Sequence, residues 1–273
     1  MCNQNKLCKE IINTLKSQRE SKIKDGFYWE NQIAFVYNSE KMEGNPLSEE
    51  QTRTIFETKT LRLSSQEAIK LDYIQETANH FRLFDYMLNT LDKDLTENLI
   101  CSFHETLKKG TTEDLDNSQI KIGSYKLIPN AVGGMATTSP ENVQAEIQKL
   151  LNNYNNRTKT TYREITGFHA IFEGIHPFQD GNGRVGRIIM FRECLKNNLV
   201  PFIVLDKNKM DYYEAIKTFN KKNNINPFIS YAKKMLDLYL KEFNNTMPKN
   251  LMRLLPKNNV IDNEQITENN FFL

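Results

Sequence analysis

The chain has 273 residues, of which 39% are hydrophobic and 26% charged. That is enough apolar material for a sizeable core, and it excludes global disorder, a collagen-like repeat and a disulfide-stapled miniature. With 36 basic and 34 acidic residues the formal charge is +2, which argues against a spread-out basic surface for nucleic acid but leaves room for a local basic pocket.

The start of the chain, Met1-Cys2-Asn3-Gln4-Asn5-Lys6 followed by Lys9 and Glu10, carries charge where a secretory segment would be apolar. The longest apolar run, residues 199–205, contains Pro201 and is too short to cross a bilayer. The expectation is a soluble, cytoplasmic chain with no nucleic-acid or membrane partner. Cys2, Cys8, Cys101 and Cys194 form no C-x-x-C pair and no cluster with histidine at zinc spacing, so they read as idle reduced thiols.

Apolar residues recur at helical spacing over most of the chain, which predicts a mainly α protein of about eight or nine helices. Taken in order, capping boxes at Ser48-x-x-Gln51, Ser64-x-x-Glu67 and Thr161-x-x-Glu164 announce helix starts, the second leading into Ala68, Ile69, Leu71 and Ile74. A helix from about Asp94 to Lys109 ends at Gly110 with two lysines in its last turn, which suits the helix dipole. Residues 111–138 are rich in Gly, Thr, Asn and Ser. Ile120, Ile122, Tyr125, Leu127 and Ile128 alternate around Gly123 there, predicting a β-hairpin or extended flap. Ser139-Pro140 and Asn226-Pro227 pair a capping side chain with a first-turn proline. From residue 244 the chain turns polar and asparagine-rich, and a poorly ordered tail over 244–273 is expected.

One segment concentrates chemistry: His176-Pro177-Phe178-Gln179-Asp180-Gly181-Asn182-Gly183-Arg184-Val185-Gly186-Arg187. An apolar helix with Phe168, Ile171, Phe172 and Ile175 runs into it, and one with Ile188, Ile189, Phe191 and Leu195 leaves it. Pro177 ends the first helix, which leaves His176 at its C-terminal edge. Gly181-Asn182-Gly183 opens the second helix, where converging N–H groups and the helix dipole favour an anion. Arg184 and Arg187, three apart, project from one face of that first turn and suit phosphate oxygens. Asp180 beside a polyphosphate implies a divalent cation between them, and Mg²⁺ needs few protein ligands because it shares phosphate oxygens. His176 is the one group in the segment that accepts a proton near neutral pH.

The segment resembles the signature of the Fic family, of the form His-Pro-Phe-x-Asp-Gly-Asn-Gly-Arg-x-x-Arg, and every specified position matches. The resemblance spans a core of about residues 98–235, behind a helical region over 1–97. It implies a helical bundle with a β-hairpin flap, and transfer of AMP from ATP to a hydroxyl of a target protein. It assigns His176 as the base and Asp180 as the Mg²⁺ ligand. Gly181, Asn182 and Gly183 become the anion hole, Arg184 and Arg187 grip the terminal phosphates, and Val185 and Gly186 complete the nucleotide loop. Gly183 favours AMP transfer, because the Doc-like kinase branch carries lysine there. Val132-Gly133-Gly134-Met135, 41 to 44 residues before His176, lies where the family's flap covers ATP and aligns the target. Tyr212 and Asn220, eight apart on a predicted helix, resemble the adenine-side Tyr and Asn, although the adjacent Tyr213 competes for the first assignment.

Ser39-Glu40-Lys41-Met42-Glu43-Gly44-Asn45 resembles the family's inhibitory helix, here ahead of the core over about residues 29–44. Ser39 and Glu43 share a helix face at i,i+4 and Gly44 ends the helix. The implied action is that Glu43 pairs with Arg187 and misaligns ATP. Trp29 and Phe35 read as packing for this helix, and His80, His104 and His169 as packed or hydrogen-bonded residues. The implied partner is a protein presenting a Ser, Thr or Tyr hydroxyl, the chain itself included, and a homodimer is compatible. Two alternatives stay open: removal of AMP, with Glu43 positioning a water, and a non-catalytic protein-binding module, which has no need of His176 or Asp180.

Overall fold

The protein is described by a computed structural model covering residues 2–64, 68–116 and 121–254. Helices α1 (Cys2–Glu20), α2 (Phe27–Met42), α3 (Glu49–Thr58) and α4 (Leu71–Asn89) precede α5 (Glu97–Lys108) and the single turn α6 (Thr112–Leu115). An antiparallel hairpin of β1 (Ala131–Val132) and β2 (Met135–Ala136) follows. The chain then runs through α7 (Pro140–Asn155), α8 (Tyr162–Ile175), α9 (Asn182–Lys196), α10 (Lys209–Lys222), α11 (Asn226–Glu242) and the short α12 (Lys249–Met252). Helices outnumber the expectation partly because α6 and α12 are turns of four residues, too short to show a period.

The molecule is organised around α9, in which every residue from Arg184 to Leu195 is buried against α2, α4, α5 and α8. A helix enclosed on all sides has no solvated face for its charges, so each must find a partner inside. Arg192 bonds Glu193 and the carbonyls of Thr90 and Lys93, which closes the C-terminal end of α4. The phenol of Tyr154 donates to Glu193 at 3.0 Å. Helix α2 is part of the same core: the Phe35 ring lies 5.5 Å from Phe84 and 5.4 Å from Phe191. Burying one such side chain contributes about 1.5–3 kcal/mol, so α2 cannot leave without opening the interior. Trp29 packs on Phe56 of α3 at 4.7 Å and donates its indole N–H to Glu57.

The capping boxes at Ser48 and Thr161 form with both reciprocal bonds. The third ends at Glu67, outside the described residues, and the helix expected from Ala68 begins instead at Leu71. Ser139 stands before α7, while Asn226 is the first residue of α11 rather than its cap. The hairpin turns at Gly133-Gly134, not around Gly123, because two consecutive residues with positive φ (55° and 77°) suit the twist of a two-residue turn. Residues 244–254, expected as the start of a loose tail, are folded, with Met247 and Leu251 buried and α12 set against α1. The rest of that tail lies outside the described residues. No described helix is long and apolar enough to cross a membrane. Burial pushes the Cys8 thiol up to about 12 and Cys101 to about 11, consistent with unreactive free thiols.

Candidate active site

Helix α8 ends at His176, whose N–H still donates to the Phe172 carbonyl at 2.9 Å while its own backbone turns left-handed at φ 53°. Pro177 disfavours a helical conformation for the residue before it, so the chain leaves α8 sharply and the imidazole stays half-buried at the rim. Asn182 then staples the returning loop. Its Oδ1 accepts from the Phe178 N–H and its Nδ2 donates to the Phe178 carbonyl, both at 2.8 Å. Its side chain is thereby committed to the loop, which leaves only its backbone N–H for an anion. Gly181, at φ 80°, caps α9 against His104.

His104 holds the same loop from α5. The Gly123 N–H donates to its Nδ1 at 2.9 Å, so the proton sits on Nε2, which donates to the Asp180 carbonyl at 3.1 Å. Its ring lies flat on Phe178, with centroids 4.0 Å apart. Burial, with help from Lys108, pulls its pKa down to about 3, so it stays neutral. Burial also lowers His176, to about 4, and the Lys126 ammonium adds to the effect.

The charged groups form one network. Lys108, in the last turn of α5, is buried rather than solvated at a helix end. It donates to Glu76 at 2.5 Å and Asp180 at 2.6 Å and lies 2.8 Å from Glu113. Arg184 donates from Nη1 to Glu76 at 2.5 Å and to Glu40 at 3.3 Å, and from Nη2 to Asp180 at 3.0 Å. Arg184, which the sequence placed with Arg187 on phosphate, is here committed to three carboxylates, as a guanidinium only 2% exposed must be. Burial would raise the Asp180 carboxyl, but Arg184 and Lys108 hold it well below the usual carboxylate range. Burial would likewise raise Glu40, yet Arg184 and His80, 2.8 Å away, bring it down to about 2.

Arg187 faces the end of α2. Its Nε donates to Ser39 Oγ at 2.9 Å, and its Nη2 donates to the Ser39 carbonyl at 2.9 Å and to Glu43 Oε1 at 2.6 Å. Gly183 makes this approach feasible. A Cβ there would stand 2.4 Å from Glu43 Oε1, so the carboxylate lies directly against the first turn of α9. That is where the dipole and the unpaired N–H groups favour an anion. Val185 and Gly186 do not belong to the exposed loop. Val185 is wholly buried, and a Cβ on Gly186 would meet His169 and Glu173 at 2.8 Å, so this glycine lets α8 and α9 close together.

On the hairpin, Val132 pairs with Met135 across the Gly133-Gly134 turn, and both side chains are exposed. Tyr212 departs from its expected place. Its ring is buried with Phe228 and Tyr231, and its hydroxyl is 2.6 Å from His169 Nε2, which leaves no face for a base. Tyr213 is the exposed neighbour and donates to the Met42 carbonyl at 3.3 Å, at the end of α2. Asn220 is exposed and its amide lies 3.4 Å from where a Cβ on Gly174 would be, two residues from His176. Eight positions on a helix leave an offset of about 80°, enough to put one residue in the core and the other outside.

Sequence reasoning missed Glu40, Glu76, His104 and Lys108 as parts of the site. One signal was available for the first: Glu40 and Glu43 are three apart, and so are Arg184 and Arg187, so the two pairs meet arm to arm. Among the described residues no cluster of three or more His, Cys, Asp or Glu can hold a metal by itself.

Residues 94–194 match the Fic/DOC family. A probable protein adenylyltransferase of Aquifex aeolicus is 27% identical over 63% of this chain and 54% of its own length. The protein adenylyltransferase Fic of Drosophila melanogaster is 26% identical over 75% of this chain and 41% of its own. The chain thus spans about half the length of these curated relatives. A Fic-domain signalling protein from Bacteroides thetaiotaomicron superposes with a TM-score of 0.70 over 86% of this chain and 94% of its own, at 22% identity. Fic-1 of C. elegans gives 0.62 over 89% and 71%, at 20% identity. These two show the same fold.

Proposed function

From the match of residues 94–194 to the Fic/DOC family and the geometry of the site, we propose that the chain transfers AMP from ATP to a Ser, Thr or Tyr hydroxyl of a target protein. The observation that carries this reading is the stapled loop from His176 to Arg187, which joins a neutral imidazole to a helix N-terminus already engaged by a carboxylate. In this reaction His176 accepts the hydroxyl proton as the oxygen bonds the α-phosphorus. The bond to the bridging oxygen of the β-phosphate breaks, pyrophosphate leaves, and AMP stays esterified to the target. With its pKa drawn down to about 4, His176 is in the base form at neutral pH. The N–H groups of the first turn of α9 and Arg187 bind phosphate oxygens, and the protein contributes mainly positioning and charge stabilisation.

Asp180 suits a single-carboxylate Mg²⁺ site. Lys108 and Arg184 use only its Oδ2, and the side chain is 54% exposed. Mg²⁺ bound there would neutralise phosphate charge and share phosphate oxygens with Asp180. Glu43 restrains the reaction by holding Arg187 and occupying the α9 N-terminus, so that a phosphate must displace it. Misplacing the reacting phosphorus by about 1 Å costs on the order of 100-fold in rate.

The test is labelling with ATP carrying label on the α-phosphate, in Mg²⁺, with the chain itself and a cell lysate as acceptors. Glu43→Gly protein should label strongly, the unaltered protein 10- to 100-fold less (about, from the same misplacement cost), and Glu43→Gly/His176→Ala not at all. No labelled protein with Glu43→Gly would sink the transferase reading. A second reading has its own support: Glu43 uses only Oε1 on Arg187, and its other oxygen can orient a water that removes AMP from a modified target. Loss of label from a premodified acceptor on adding the unaltered protein would favour it.

A further inference from the structure

We propose that Lys126 is a positioning residue that sets the place of the β1–β2 hairpin relative to His176. The inference rests on the transferase reading for its meaning, because it takes His176 as the base and the hairpin as the rest for the target.

Lys126 grips the chain on both sides of the histidine. Its backbone N–H donates to the Pro177 carbonyl at 2.8 Å, and its ammonium donates to the Ile175 carbonyl at 3.3 Å. The same ammonium donates to Asn130 Oδ1 at 2.7 Å and Thr137 Oγ1 at 2.6 Å. Asn130 directly precedes β1 and Thr137 directly follows β2, so one side chain ties both feet of the hairpin to the residues flanking His176. Asn130 repeats the tie, donating to the Phe178 carbonyl at 3.1 Å. Without these bonds two strands of two residues have almost no means of holding a fixed height.

The residue type is informative as well. Lys126 is 3% exposed, and each of its hydrogen-bond partners among the described residues is neutral. A buried ammonium without a carboxylate is costly, and burial brings its pKa down to about 8. At neutral pH it is a cation whose nearby charge His176 feels. The other groups that act on His176 are Glu43 at the end of α2, Asp180 in the loop and the backbone of Glu173 on α8. Burial is the larger cause of the low His176 pKa, and the Lys126 charge adds to it at the place where the hairpin presents the acceptor.

The experiment compares Lys126→Met and Lys126→Arg in the Glu43→Gly background. With Met, self-labelling should fall about 10- to 100-fold, the scale of a small misplacement, while calorimetric affinity for Mg·ATP stays within about twofold on the same argument. Arg should restore part of the rate. Two readouts need no catalysis. NMR titration of the His176 imidazole should move upward in Lys126→Met, because a neighbouring cation is gone. Limited proteolysis between residues 127 and 138 should become faster while the rest of the chain stays intact. Should Lys126→Met fail to fold, Asn130→Ala and Thr137→Val loosen the hairpin with the ammonium in place and should show the same faster cleavage. An unchanged His176 titration together with unchanged cleavage would overturn the proposal. If Glu43→Gly itself labels nothing, the transferase reading fails, whereas titration and cleavage still decide the role of Lys126.

Discussion

Replacing Lys108 with methionine should cost this protein a large part of its stability. The ammonium is within 2.8 Å of three carboxylates, those of Glu76, Asp180 and Glu113. Methionine fills a similar volume, so the loss is one of charge rather than of packing. Asp180 is half exposed and its share is screened by water. Glu76 is 6% exposed, and it keeps only Arg184 as a counter-ion. Removing one partner of a buried pair costs about 3–5 kcal/mol, and about 2–4 °C of melting temperature accompanies each kcal/mol in a domain of roughly this size. The expected result in urea denaturation is a loss of about 3–4 kcal/mol. The double variant Lys108→Met/Glu76→Gln should lose less than the two single variants added together, with a coupling above about 1 kcal/mol. A loss below about 1 kcal/mol for Lys108→Met, or strict additivity, would refute the reasoning that the network is energetically one unit.

Two further outcomes follow from the same geometry. Gly186→Ala should destabilise by about 1–3 kcal/mol in thermal or urea unfolding, because its Cβ would stand 2.8 Å from His169 and Glu173 and push α8 off α9; a neutral effect would mean that the helices part freely. Stability should fall as pH drops below about 6.5. His104 and His169 are held to about 3 and His176 to about 4, so between those values and 6.5 the unfolded chain binds more protons. The neutral histidines thus contribute stability that is full above the unfolded value and lost as pH falls through the folded ones. Urea midpoints measured from pH 7 to pH 4 should decline steadily, and a flat profile would contradict the burial of these rings.

The site was most legible where its chemistry is contiguous. From His176 to Arg187 the spacing of proline, glycine and arginine dictated a helix end, a turn and a helix start, and the backbone follows that order. The segment from Ser39 to Glu43 was readable for the same reason, since Ser39 and Glu43 share a face through local geometry alone. Alternation around Gly123 marked the right stretch but not the turn, whereas Val132-Gly133-Gly134-Met135, also singled out from the sequence, is the turn of the hairpin, with positive φ at both glycines. Tyr212 shows the limit of periodicity: a helix period says which residues share a face, but not which face the rest of the chain covers.

By itself the sequence determined the mainly helical class, the loop from His176 to Arg187, and the near-neutral balance that hides a concentrated charge cluster. These depend on local conformation and on residue types at fixed short spacings. Only the tertiary structure decided that Arg184 is also committed to Glu40 and Glu76, while Arg187 meets Glu43 as the sequence implied. The two arginines are chemically identical and three residues apart. What separates them is which carboxylates the packing of α2 and α4 brings against α9, and Glu40, Glu43 and Glu76 each lie more than a hundred positions from the arginine they meet.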